Sequence, residues 1–118
     1  MGKSFKELAI WQRAVESGLA IYKLTAAFPD SERFGLINQL RRATVSVPSN
    51  IAEGYGRATK GEYLQFLGVA RGSNCEIETQ LAFARRLGFE RKQELDEAEA
   101  LCDEVGRMLT ATIRILRV

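Results

Sequence analysis

TKGEYLQFLGVARGSNCEIETQLAFARRLG, residues 59–88, places Tyr63, Leu67, Ala70, Asn74, Ile77, Leu81, Ala84 and Gly88 in unbroken steps of four and three, with Asn74 the one strongly polar member. A stripe that recurs every 3.5 residues keeps one face of a helix apolar and leaves the rest to solvent. Thr59-Lys60-Gly61-Glu62 is a capping box, in which the hydroxyl of the first residue and the carboxylate of the fourth satisfy free amides at a helix start. The stretch therefore predicts one long helix over about 60–87.

The pattern repeats on both sides. Downstream, Leu95, Ala98, Cys102, Val105, Leu109, Thr112 and Leu116 predict a helix over 91–117. Upstream, Ile37, Leu40, Thr44, Val47, Ile51 and Tyr55 hold the same phase across Pro48. That continuity predicts a single kinked helix over 32–56, capped by Asp30 or Ser31 and ended by Gly54 and Gly56. Near the N-terminus, Ser4-Phe5-Lys6-Glu7 is another capping box, followed by a stripe of Leu8, Trp11, Val15, Leu19, Tyr22 and Ala26. This predicts a first helix over 5–28, stopped at Phe28-Pro29. Helices of about 25 residues, each roughly 38 Å long and joined by short loops, form an antiparallel up-down-up-down bundle. The fold expected is all-α, with residues 1–118 as one four-helix bundle domain.

Composition narrows the function classes. With 46% hydrophobic and 27% charged residues the chain has the balance of one soluble domain. The longest uncharged run, 43–52, is about half of what a membrane span needs and contains Pro48. No secretory signal is legible, so the expected location is cytoplasmic. There is no histidine, which removes Ser-His and Cys-His nucleophile pairs, the usual zinc sites and the Glu-x-x-His di-metal sites of bundles. Cys75 and Cys102 are far apart and read as reduced packing residues. Glu76 and Glu78, at i and i+2 on a helix, point apart and make a poor acid–base dyad. Gly54-Tyr55-Gly56 with Gly61 follows a helix and lacks Gly-Lys-Ser or Gly-Lys-Thr, so it reads as a turn and not as a phosphate loop. No catalytic residue, cofactor or metal is expected.

Residues 41–57, RRATVSVPSNIAEGYGR, are unusual for an exposed helix. Serine, asparagine and valine each cost a few tenths of a kcal/mol against alanine, and an interior proline about 3 kcal/mol. A solvated face is the plainer reading, but it leaves those costs without an offset. Short side chains permit close approach of another backbone, and Ser46 and Ser49 are placed to satisfy carbonyls freed by the proline. The third helix offers a comparable strip of Leu64, Gly68, Cys75, Thr79 and Ala82, with Gly72 beside it. Two helices with a second packable face predict self-association, through Ser46, Pro48, Ser49, Asn50, Glu53, Gly68, Gly72 and Cys75. Asn74, with Arg71, Glu78 and Arg85 beside it, is expected to form a polar layer that fixes register. The net charge of +2 only weakly favours an acidic partner. A nucleic-acid surface would draw on Arg41, Arg42, Arg57 and Lys60. A head-to-tail contact between basic first helices and an acidic fourth fits the same charges.

FPDSERFGLINQLRRATVSVPSNIAEGYGR, then EYLQFLGVARGSNCEIETQL, then Leu87-Gly88, closely resembles the bacterial four-helix bundle proteins found as reading frames within intervening sequences of large-subunit ribosomal RNA genes. The resemblance runs from Trp11-Gln12 to Leu87-Gly88 and weakens in the last helix. It implies a homopentameric ring of four-helix bundles. A related branch, the accessory variability proteins of diversity-generating retroelements, implies a reverse transcriptase and RNA or DNA as partners, although that branch is more basic than this chain. The expected function is a non-enzymatic oligomeric scaffold that serves nucleic acid or a nucleic-acid enzyme. The alternative is a structural or protein-partner module that binds no nucleic acid.

Overall fold

Thr59 opens the longest helix as its sequence requires. Its Oγ1 accepts from the Glu62 amide at 3.1 Å and donates to the Glu62 carboxylate at 3.1 Å. The structure, a computed structural model, describes residues 4–89 and 91–118. The helix that Thr59 caps spans Lys60–Leu87 and becomes α3, preceded by α1 (Ala9–Thr25) and α2 (Asn38–Tyr55) and followed by α4 (Lys92–Arg117). Gly88 stops α3 in the left-handed region, at φ 76°, where a side chain would be strained. Its amide and that of Phe89 close back on the Arg85 and Ala84 carbonyls at 3.2 and 3.1 Å.

α1 packs on α2 and α4, and α3 packs on the same two helices. The order around the bundle is therefore the order along the chain, with each short connection reversing direction. Among the described residues there are four α-helices and no strand. The long dimension of 45 Å matches the roughly 42 Å expected of 28 helical residues. No described helix is long and apolar enough to cross a membrane. Leu24 of α1, Leu40 and Ile51 of α2, Leu67, Ile77 and Leu81 of α3, and Leu95 and Leu109 of α4 are fully buried. Each such side chain contributes about 1.5–3 kcal/mol by leaving water.

Three local features differ from the sequence expectation. The first capping box closes only a 3₁₀ turn, Phe5–Glu7, with Ser4 Oγ accepting from the Lys6 amide at 3.1 Å. Leu8 is then extended and α1 begins at Ala9. Phe5 meets the Trp11 ring edge-on at 5.4 Å, and Gln12 Nε2 donates to the Lys6 carbonyl at 3.0 Å, so the turn folds back on the helix and does not continue it.

The second difference is the face of α1 that turns inward. The buried residues are Ile10, Ala14, Ser17, Ile21 and Leu24, whereas Leu19, Tyr22 and Ala26 are exposed. α1 carries two apolar stripes of the same period. The one that continues into Phe28, whose ring packs on Phe89 at 5.7 Å, takes the core.

The third lies in residues 30–37. A 3₁₀ turn (Asp30–Glu32) and a π-helical turn (Arg33–Ile37) precede α2, which starts at Asn38 instead of residue 32. Glu32, not Asp30 or Ser31, caps this π-helical turn, its Oε1 accepting from the Leu36 amide at 3.0 Å, and α2 itself has no side-chain cap.

Candidate interaction surfaces

The outward stripe of α1 meets α2 along an apolar groove of about 400 Å³ lined by Trp11, Leu19, Tyr22, Val45, Pro48 and Ala52. Leu19, Tyr22 and Val45 are 65%, 41% and 50% exposed, and these large apolar side chains share one face of the molecule. Gly18 explains the close approach of the two helices beneath it. A Cβ there would lie 3.2 Å from Thr44 Oγ1. Pro48, one turn beyond Thr44, has no N–H to give the Thr44 carbonyl, and its ring becomes part of the groove wall. Large contiguous apolar patches are characteristic of interaction surfaces. Sequence periodicity found the stripe and assigned it to the core. The signal available for the right assignment was the competing stripe through Ile10, Ala14, Ile21 and Leu24.

The eight residues proposed for self-association fall on different surfaces. Ser46 and Asn50 are half-buried in the α2–α3 seam of their own chain. Ser46 Oγ and Ser73 Oγ are 2.9 Å apart, and Asn50 Nδ2 donates to the Ser46 carbonyl at 2.8 Å and hydroxyl at 3.0 Å. The expectation that Ser46 satisfies a proline-freed carbonyl is thus corrected: its hydroxyl bridges to α3. Pro48 and Ser49 border the α1–α2 groove. Glu53 is exposed and pairs with Arg57 at 2.8 Å. Gly68, Gly72 and Cys75 lie exposed on the back of α3, and a Cβ at either glycine would meet nothing within 4 Å.

The polar layer is smaller than expected. Asn74 is 2% exposed and its Nδ2 donates to the Cys102 carbonyl at 3.0 Å, while Cys102 Sγ donates to Asn74 Oδ1 at 3.4 Å. This pair joins α3 to α4 inside the core. Burial, with a lesser contribution from nearby Glu78, pushes the Cys102 thiol up to about 12, so it is a protonated packing group and not a nucleophile. Arg71 and Glu78 are not in the layer. Both are exposed at the rim of a groove between α3 and α4. Arg85 clamps the same two helices from outside, on Asp96 at 2.6 Å and Glu99 at 2.8 Å.

The four basic candidates do not form one patch. The Arg41 Nε donates to Thr25 Oγ1 at 2.9 Å and its guanidinium lies 4.5 Å from the centre of the Tyr22 ring, so it ties α2 to α1. Arg57 pairs with Glu53 and sits 4.8 Å from the centre of the Phe66 ring. Arg42 and Lys60 are exposed. Sixteen residues separate Arg41 from Arg57, roughly 24 Å along a helix axis. Spacing in sequence suggested a cluster because the letters are close, but successive helical residues diverge around the axis.

A family model of the 23S rRNA-intervening sequence proteins matches residues 6–111. The chain also resembles the 1.70 Å crystal structure of a protein of unknown function from the S23 ribosomal protein family of Bacteroides thetaiotaomicron. That likeness has a TM-score of 0.79 at 18% identity and covers 89% of this chain and 98% of the other. At such identity it establishes the shared bundle fold. A search of curated proteins found no match.

Proposed function

The chain belongs to the 23S rRNA-intervening sequence protein family, and from that premise we propose that it is a non-enzymatic scaffold whose working form is an assembly of copies of itself. The observation that carries this reading is the α1–α2 groove, where Leu19, Tyr22 and Val45 stand in solvent beside Trp11 and Pro48. The occupant is a second copy, and the family resemblance favours a pentameric ring. A closed ring needs two different patches on each copy. The second is the back of α3, where Gly68 and Gly72 leave room for a neighbouring chain.

The same geometry weighs against a preformed nucleic-acid patch on α2, because Arg41 and Arg57 are already engaged within the chain. The protein-partner form of the scaffold is therefore favoured over one that holds RNA or DNA through those arginines. Light scattering of the wild type and of Leu19→Glu tests the proposal. The wild type should have a mass several times 13.2 kDa, and the variant should shift toward the monomer while keeping its helical circular dichroism. A folded wild type at the monomer mass across the micromolar range would reject it.

A further inference from the structure

The groove on the opposite side of the bundle, between α3 and α4, has a different chemistry. It has a volume of about 400 Å³ and is lined by Arg71, Asn74 and Glu78 from α3 and by Asp103, Arg107 and Arg114 from α4, among others. Three guanidiniums therefore meet two carboxylates. Because the helices run antiparallel, Glu78 and Asp103 lie toward the Gly88 end and the three arginines toward the other. Asp103 is paired with Arg107 at 3.2 Å. Arg71 and Arg114 have no ion-pair partner among the described residues.

The floor adds a donor that the core does not use. The Cys102 carbonyl can only accept, so the nitrogen and not the oxygen of the Asn74 amide must face it. That nitrogen has two hydrogens, and one is spent on Cys102. It also faces Gly106, where an added Cβ would stand 3.1 Å away. With no side chain at residue 106, Asn74 lines the groove floor while staying 2% exposed.

The guanidiniums of Arg71 and Arg114 are planar donors with no ion-pair acceptor among the described residues, which suits a tetrahedral oxyanion. We propose that this end of the α3–α4 groove is a phosphate-binding site, with Arg71 and Arg114 supplying the free guanidiniums, Asn74 Nδ2 at its base, and Arg107 shared between the anion and Asp103. The phosphate comes either from a free small molecule or from a nucleic-acid backbone. The site lies across the bundle from the α1–α2 groove but adjoins the back of α3 through Arg71 and Cys75, so its independence of the assembly is read from the α4 residues.

The test is calorimetric titration of the full-length wild type with inorganic phosphate, adenosine monophosphate and a short single-stranded RNA, each at low salt. Arg71→Gln and Arg114→Gln, both surface changes, should each weaken binding about tenfold, as expected for loss of a charge-assisted hydrogen bond. Gly106→Ala should weaken it by covering the Asn74 nitrogen. Arg86→Gln, the same charge change near the far end of α3, should leave binding unchanged. Binding of phosphate and the mononucleotide assigns the site to small phosphorylated ligands, whereas binding of RNA alone assigns it to a phosphodiester strand. Light scattering on the same samples separates the two proposals, because Arg114→Gln, on α4 and away from both proposed contact patches, should keep the wild-type mass. If none of the three probes binds, or if binding is indifferent to Arg71, Arg114 and Gly106 in folded variants, the assignment is overturned.

Discussion

Single residues carry more of this structure than their types suggest. Gly54 is buried where α2 meets α3, and a Cβ there would be 2.7 Å from Phe66 Cβ and 3.2 Å from the Tyr63 carbonyl. Helix propensity alone favours alanine by about 1 kcal/mol, but overpacking costs about 1–3 kcal/mol. Gly54→Ala should therefore lower the urea midpoint, and a raised midpoint would show that the seam yields. Glu78 gives a pH signature. Partial desolvation at the groove rim, then the charge of Asp103, raises its carboxyl above the ordinary value, so the folded chain holds that proton more tightly than the unfolded chain. The resulting stabilisation is complete below the unfolded glutamate value near 4.3 and is lost as pH rises through the raised value. Glu78→Gln should melt above the wild type at pH 7, with the difference closing below about pH 4. An equal difference at both pH values would assign the effect to packing.

At the scale of the element, sequence and structure agree best where one apolar stripe has no rival. On α3 the stripe Leu67, Ala70, Asn74, Ile77, Leu81 and Ala84 is buried throughout, and α4 keeps Leu95, Ala98, Cys102, Val105 and Leu109 inside. On α1, two stripes of equal period compete, and periodicity cannot choose between them, because the choice depends on which face the other helices cover. The turns at 5–7 and 30–37 were hidden for a related reason: their geometry depends on Phe5 against Trp11 and on the reach of the Glu32 side chain. Pro48 is the helix feature with the clearest consequence. Pro48→Ala restores a donor to the Thr44 carbonyl and should stabilise the isolated bundle by about 1–3 kcal/mol, while removing part of the groove wall and reducing assembled mass. A variant with unchanged mass would remove Pro48 from the interface. Gly68→Ala and Gly72→Ala have open space for the new methyl, so each should raise the melting temperature of the monomer, by roughly 0.5–1 kcal/mol in stability. If the back of α3 is docked, assembled mass falls at the same time. A melting gain with full assembly would leave that face to solvent.

For the whole molecule, the bundle was legible from the letters and the surfaces were not. The small residues on α2 read in sequence as a docking face, whereas Ser46 and Asn50 close the α2–α3 seam. The stronger indication is the apolar side of α1, which only the packed bundle exposes. The arginines of α2 likewise read as a patch until Tyr22, Thr25 and Phe66 claim two of them. The claim that unites these surfaces is that a second copy covers the α1–α2 groove. Trp11 is the only tryptophan and lines that groove, so its emission reports directly on the cover. Comparing wild type with Leu19→Glu at one micromolar concentration tests it, since Leu19 lies about 12 Å along the axis from Trp11. The account predicts blue-shifted emission shielded from iodide in the wild type, and red-shifted, quenchable emission in the variant. Identical spectra with identical quenching in two folded proteins would contradict it.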